Sequence, residues 1–336
     1  MSYKIEIQPS GHHFDAEDGE TLLEAGLRHG FNLPYSCRGG ACGACKGKIV
    51  SGEVSYEDDP IALSATERTA GMALFCQAIP SSDIVLEVKE IGATKDQEIK
   101  ILPTRVAVLQ KLADDVMQMK LKLPMTERLE FLAGQYIDIL LKDGRRRSFS
   151  LANAPHDDAL LELHIRQIPD GYFTNMVFNE MQEKAILRIE GPLGSFFVRD
   201  ESTNPIIFMA GGTGFAPIKS IIEHLIAQGC QRSMHLYWGV REEKDLYMDA
   251  LAKEWAANYA NIRYKPVLSN IAADHPWQGR RGLVHQAIAN DFHSMRNYEV
   301  YACGPPAMID AGRQAFAEKG LESDNFYADA FTYAAN

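Results

Sequence analysis

Apolar and polar positions alternate from the start of the chain. Tyr3, Ile5 and Ile7 are separated by Lys4 and Glu6, the period of a half-buried strand. A second short strand is expected at 12–14, beyond the turn Pro9-Ser10-Gly11. A short helix is expected over 21–27, where apolar residues recur three and four apart. Lys48–Val50 and Ile84–Val88 read as further strands. The stretch from Gly92 to Lys100 is polar and aperiodic, as a linker would be.

From 103 to about 200 the pattern stays β-rich, with turns at Asp143-Gly144, Pro169-Asp170-Gly171 and Gly191-Pro192-Leu193-Gly194. Short strands punctuated in this way predict a small antiparallel barrel. Beyond 205 the texture changes. A strand at 206–210, a helix at 216–228, strands beginning at 235 and 298 and a helix from 307 alternate, which predicts a doubly wound parallel sheet. The expected divisions are 1–92, a linker at 93–102, 103–200 and 201–336.

Length and composition agree with two or three globular domains: 336 residues, 46% hydrophobic and 24% charged. No apolar run approaches the ~18 residues of a membrane span. The first residues lack the apolar core of a signal peptide. The expectation is a cytoplasmic protein without membrane partners. Net charge is −11, which argues against nucleic acid as a partner. The acid is uneven. Residues 1–92 carry 7 Lys/Arg against 14 Asp/Glu, while 103–200 carry 13 against 14 and 201–336 carry 12 against 15.

Four of the six cysteines lie in the acidic first module as Cys37-x4-Cys42-x2-Cys45, with Cys76 some thirty residues on. Clustered cysteines in a reducing compartment hold metal more often than disulfides. The C-x4-C-x2-C…C spacing is that of plant-type [2Fe–2S] ferredoxins. Four thiolates must converge on two irons through a loop without bulk, which Gly39, Gly40, Ala41, Gly43 and Ala44 supply. The competing reading is a structural zinc ion in a non-redox binding module. Zinc usually takes its ligands as two C-x-x-C pairs, which this is not.

Residues 1–92 resemble a plant-type ferredoxin with an α+β (β-grasp) fold, and the rest is similar to the ferredoxin–NADP reductase superfamily. The order ferredoxin, flavin barrel, nicotinamide domain is that of NAD(P)H-dependent iron–sulfur flavoprotein reductases, including benzoate-dioxygenase-type oxygenase reductases. A nearer resemblance is to the CDP-6-deoxy-Δ3,4-glucoseen reductase family, which serves a sugar-deoxygenating dehydrase. It is carried by Ala133–Asp138, Leu151–Pro155, Val284–Ala287 and Asp329-Ala330-Phe331.

The resemblance implies FAD in the barrel. Arg147-Ser148-Phe149-Ser150 stands at the R-x-Y-S position. Arg147 would face the pyrophosphate, the aromatic ring would stack on the isoalloxazine edge and Ser150 would bond near N5. Phe149 replaces the usual Tyr and loses one hydroxyl. His164-Ile165-Arg166 resembles the strand bordering the ring. Gly171-x-x-Thr174 resembles a turn that opens a helix toward phosphate, where an N-terminus and a hydroxyl suit an anion. Gly191–Phe196 resembles the family's G-P-x-G-x-F turn, with a plain β-turn as the alternative.

For the nicotinamide, strand 206–210 runs into Gly211-Gly212-Thr213-Gly214, with Pro217 close behind. Glycines there let backbone approach a pyrophosphate at a helix N-terminus. Cys303-Gly304-Pro305-x-x-Met308 resembles the superfamily's C-G-P-x-x-M, whose Cys lies near nicotinamide C4. Phe331 would pack by the flavin, and Asp329 would assist hydride transfer. Arg241 follows the second strand, where ribose contacts fall. Arg241, Lys244, Arg280 and Arg281 could take a 2′-phosphate, while the relatives lean to NADH. The whole implies an electron-transfer reductase: a hydride to flavin, then single electrons through the cluster to an electron-accepting dehydrase or oxygenase component. Neither the acceptor nor the oligomeric state is legible.

Overall fold

The computed structural model describes residues 2–94, 97–272 and 275–331. Lys95 and Asp96 of the expected linker lie outside them. Contacts divide the chain into two compact units. One comprises Met1–Gln97, Gly194–Phe196 and Ala328–Thr332, and the remainder forms the other.

In the first unit, the alternation at the start of the chain becomes strand Ser2–Gln8, with Ile5 and Ile7 buried and Lys4 exposed. Ile5 sits opposite Phe14 in an antiparallel pair and beside Ile84 in a parallel one. The sheet order is His12–Glu17, Ser2–Gln8, Ile84–Glu87, Lys46–Ser51, Met72–Leu74. This is the expected β-grasp arrangement. Helix Leu22–Arg28 is fixed by a capping box: the Thr21 hydroxyl accepts from Glu24 N and the Glu24 carboxylate accepts from Thr21 N. Residues 36–45 then run without regular structure, which leaves them free to wrap a ligand.

In the second unit, six antiparallel strands lie in the order Arg146–Ser150, Tyr136–Leu140, Ile186–Leu193, Lys100–Ala113, Val116–Lys122, Leu161–Arg166. A bridge between Leu151 and Leu163 joins the two ends, so the sheet closes into the expected barrel. Val106, Met119, Leu121, Ile137, Ile165 and Ile189 fill it, each fully buried. Each such side chain contributes roughly 1.5–3 kcal/mol of burial. Strands Ile262–Leu268, Met234–Val240, Ile206–Gly211 and Glu299–Gly304 follow as a parallel sheet in that order. Ile206–Gly211 is buried at every position, as a central parallel strand requires.

The structure departs from a simple three-module reading in two ways. Residues 194–196 and 328–331 fall by sequence in the flavin and nicotinamide modules, yet they pack with the first unit. The reason is that Ser195 bonds Tyr35 and Asp329 bonds Ser36. The barrel and the parallel sheet also form one unit. Lys219 and Ser220, on helix Phe215–Ala227, donate to the carbonyls of Ala152 and Asn153 on the barrel.

Candidate functional site

Cys37, Cys42 and Cys45 of the loop over 36–45, together with Cys76, form two pairs. Cys37 and Cys42 share one hydrogen bond and Cys45 and Cys76 another. Cys42 and Cys45 are buried, while Cys37 and Cys76 are half-buried. The hydrogen bond from Cys42 pulls the Cys37 thiol down to about 6, against burial, and the N–H groups of Ala41, Gly39 and Cys42 assist. Cys42 and Cys45, as the donors of their pairs and buried, are pushed up. Ala44 N–H points at Cys42 Sγ from 3.4 Å. Among the described residues, no three His, Cys, Asp or Glu side chains gather on one point. Two thiol pairs edged by backbone donors fit a two-iron cluster, in which each iron takes two protein sulfurs.

On the barrel, the three consecutive arginines separate by partner. Arg145 is held by Asp143 at 2.7 Å and covers the Tyr172 ring. Arg146 is paired with Glu190. Arg147 donates Nη1 to the carbonyl of Arg146, while its Nη2 is buried without a hydrogen-bond partner among the described residues. A buried guanidinium nitrogen with nothing to bind is costly unless an anion completes it. That fits a pyrophosphate. Ser148 donates to Asp138 Oδ1 at 2.5 Å, and the half-buried Phe149 packs against Phe173 with ring centres 5.5 Å apart. Ser150 is buried at the end of its strand. Thr174 does not offer a free hydroxyl, because its Oγ1 closes the turn to Gly171 and Ile168. Helix Tyr172–Asn179 begins at Gly171 without a side-chain cap.

The two glycine-bearing signatures meet at the carboxyl ends of neighbouring parallel strands, where Ala210 stands beside Cys303. Gly214 presses on the carbonyl of Cys303, and a β-carbon there would come within 2.1 Å of it. Gly212 has φ +56°, and a β-carbon would sit 2.7 Å from Arg166 Nη1. Arg166 therefore lies over the glycine turn, its Nε 3.2 Å from Asp115 Oδ2. Gly211 approaches Met308 and Pro305. Cys303 is fully buried, Thr213 and Pro217 are buried, and Phe331 is half-buried. This end of an open α/β sheet is where nucleotides bind.

A buried polar network joins the two faces. His164 Nε2 lies 2.8 Å from Glu162 and Nδ1 lies 3.1 Å from the Tyr247 hydroxyl. Burial lowers the His164 pKa and raises that of Tyr247, so the ring is neutral: Nε2–H donates to Glu162, and Nδ1 accepts from Tyr247. Burial alone would raise Glu162. The bond from His164 and the charge of Lys219 outweigh it and hold the carboxyl well below the usual range. Lys219 stands 3.7 Å from Glu162 and Gln118 donates to it at 2.9 Å.

Three family comparisons match in sequence order. The 2Fe-2S iron-sulfur cluster binding domain matches residues 5–81, the oxidoreductase FAD-binding domain 103–198 and the oxidoreductase NAD-binding domain 208–314. The CDP-6-deoxy-L-threo-D-glycero-4-hexulose-3-dehydrase reductase of Yersinia pestis is 41% identical over 98% of this chain and 99% of its own length. The chain belongs to the iron–sulfur flavoprotein reductases. The reductase component 1 of terephthalate 1,2-dioxygenase from Comamonas is 33% identical over 98% of both chains. Among solved structures, the Amycolatopsis cytochrome P450 reductase GcoB superposes with a TM-score of 0.79 at 34% identity, covering 99% of this chain and 100% of its own.

This electron-transfer reductase therefore carries [2Fe–2S], FAD and nicotinamide nucleotide domains and serves an electron-accepting enzyme. Among its described residues, no helix is long and apolar enough to cross a membrane. Sequence reasoning missed Glu162, Lys219, Tyr247 and Trp238. Trp238 stacks on Phe215 at 3.9 Å and donates Nε1 to the Gly212 carbonyl, so it supports the glycine turn. Glu162 stood two residues before His164 on a strand, hence on the same face, which was the one signal available.

Proposed function

We propose that this reductase delivers electrons from NADH to a sugar-modifying dehydrase in the cytoplasm. Supporting the acceptor is the higher identity to the hexulose-3-dehydrase reductase, 41% against 33% for the terephthalate dioxygenase component, each along nearly the whole chain. Six cysteines without a disulfide among them suit a reducing compartment. The functional division is a ferredoxin module at 1–92, a linker at 93–102, a FAD module at 103–200 and a nicotinamide module at 201–336.

Bound FAD supplies a centre that takes electrons in pairs and releases them singly. The chain's own residues bind and orient. Arg147 presents its unpartnered Nη2 to the pyrophosphate, and the first turn of helix Tyr172–Asn179 adds backbone donors. Phe149 would border the ring, with Ser150, His164, Ile165 and Arg166 on the same barrel. Gly211–Gly214, Pro217 and Gly304–Met308 would hold the dinucleotide, with Cys303 packed against that glycine turn. Cys37, Cys42, Cys45 and Cys76 hold the irons.

The cations that could take a 2′-phosphate support NADH. Arg280 is paired with Asp291 and Lys244 with Glu242. Arg281 donates to the carbonyls of Ala272 and His275. Exposed Arg241 is followed at once by Glu242 and Glu243. The test is reconstitution. Purified reductase, NADH and a CDP-6-deoxy-hexulose-3-dehydrase should yield deoxygenated sugar, with NADPH the poorer donor. Turnover only with an oxygenase component would replace the dehydrase reading, and a preference for NADPH would overturn the nucleotide assignment.

A further inference from the structure

The two residues that lead into the first cluster cysteine are held by contacts the electron-transfer reading does not use. Ser36, 1% exposed, donates its hydroxyl to Asp329 Oδ1 at 2.5 Å from 293 positions away. Tyr35 is bonded three times to Ser195. Its N–H donates to Ser195 Oγ at 2.9 Å, and its carbonyl accepts from Ser195 Oγ at 2.6 Å and Ser195 N at 2.7 Å. All four residues are buried. Buried polar groups are kept where they have partners, and a carboxylate acceptor makes the stronger bond.

Their placement matters because the loop they hold has no ladder of its own. Residues 36–45 form neither helix nor strand, so the position of Cys37 depends on bonds made from outside. The Arg38 guanidinium, one residue beyond the cysteine, lies 5.2 Å above the Tyr35 ring, so fixing Tyr35 also fixes what flanks Cys37 on its far side.

We propose that Asp329 and Ser195 are positioning residues for the cluster loop, holding Ser36 and Tyr35 so that Cys37 stays in register with Cys42. On this assignment Asp329 acts on the cluster side, not in the hydride step its place near the end of the chain implies. The inference rests on the cluster ligation above and adds to it two residues far from the cysteines in sequence.

The experiment uses the full-length holoprotein with Ser36→Ala, Asp329→Ala, the double variant and Asp329→Asn. It reads bleaching of cluster absorbance by a ferrous chelator, and low-temperature EPR of the reduced cluster. Each single alanine should lose its cluster about tenfold faster, the scale of one buried charge-assisted hydrogen bond, with a broadened EPR line. The double variant should lose it no faster than Asp329→Ala alone, because the bond that Ser36→Ala removes is already broken there. Asp329→Asn keeps a carbonyl acceptor and should restore most of the difference. Ser36→Ala should leave bleaching of the flavin by NADH within about twofold of the parent. Multiplying effects in the double variant would overturn the proposal, as would unchanged cluster loss. So would an Asp329→Ala protein whose flavin bleaching slows while its cluster is as stable as the parent's. A parent protein without iron and sulfide would overturn both this and the ligation it rests on.

Discussion

The cluster loop and the flavin–nicotinamide face solve opposite problems. The loop gathers three of its four ligands within nine residues, Cys37 to Cys45, and needs only Cys76 from farther along. The face is assembled from a barrel strand ending at Ser150, another at 161–166, a glycine turn at 211–214 and a strand ending at Gly304. In the loop the chemistry is carried by the chain's local path. On the face it depends on a buried ionic network that keeps distant strands in register. A local site should fail locally when it is broken, and a dispersed site should fail as a whole.

The largest effect tests the local half. Cys76→Ala removes one sulfur from the Cys45 pair, and a two-iron cluster with three protein thiolates is not retained. Cluster absorbance and iron content should disappear, while FAD remains bound and is still bleached by NADH. Loss of FAD in a folded protein would show that the two regions are not independent.

Next is the network. Lys219 is 8% exposed and serves three acceptors: Glu223 at 2.9 Å, the Ala152 carbonyl at 3.0 Å and Glu162 at 3.7 Å. Lys219→Met keeps the length but leaves Glu162 and Glu223 without that charge. Breaking a buried pair on one side costs roughly 3 kcal/mol. Denaturant unfolding followed by flavin fluorescence should shift by that amount, with the cluster signal unmoved. A shift under about 1 kcal/mol would reduce the pair to a surface contact.

These two regions also differ in how far the sequence reveals them. The cysteine spacing is a statement about a few neighbouring residues, and the structure pairs Cys37 with Cys42 and Cys45 with Cys76. Strand and helix periods were likewise local, so the barrel and parallel sheet could be read with their order, while the β-grasp came from the family resemblance. Glu162, Lys219 and Tyr247 gave no comparable sign. Each is an ordinary charged or aromatic residue until the fold brings 162 within reach of 219, and 164 within reach of 247. Ser195 and Asp329 were legible as motif members, but their contacts to Tyr35 and Ser36 span 160 and 293 positions. No periodicity encodes such a pairing. Thr174 shows the same limit within a motif: its Oγ1 donates to the Gly171 carbonyl and closes the turn, a contact the motif does not announce.

A smaller effect separates neighbours within one motif. Arg147 has a buried nitrogen awaiting an anion, whereas Arg146 is already neutralised by Glu190. Arg147→Ala should weaken FAD binding about 10- to 100-fold, the range for a charge-assisted bond in a buried site. Arg146→Ala should change it less than about threefold, as an exposed pair does. Equilibrium dialysis of apoprotein against FAD decides, and equal losses would return all three arginines to a common surface charge.

The smallest effect concerns charge outside both sites. Residues 1–92 hold 7 basic against 14 acidic residues, whereas 103–200 are nearly balanced. The ferredoxin rim is not uniformly negative. Asp59 is paired with Arg68 at 3.0 Å and Glu67 with Lys46 at 2.6 Å, which leaves Glu57 and Asp58 exposed beside them. Half-buried Arg38 and exposed Lys48 add positive charge near the cysteines. A surface of this kind gives a modest steering field over an encounter, and that field is screened within about 8 Å at physiological ionic strength. Delivery of electrons to the acceptor should therefore slow a few-fold between low and high salt. Reduction of the flavin by NADH takes place in the other unit and should change less. Glu57→Gln with Asp58→Asn should flatten the salt dependence of delivery without altering flavin reduction. If delivery is flat or rises with salt in the unaltered protein, the acidic excess serves solubility, and the acceptor docks through contacts that carry no net charge.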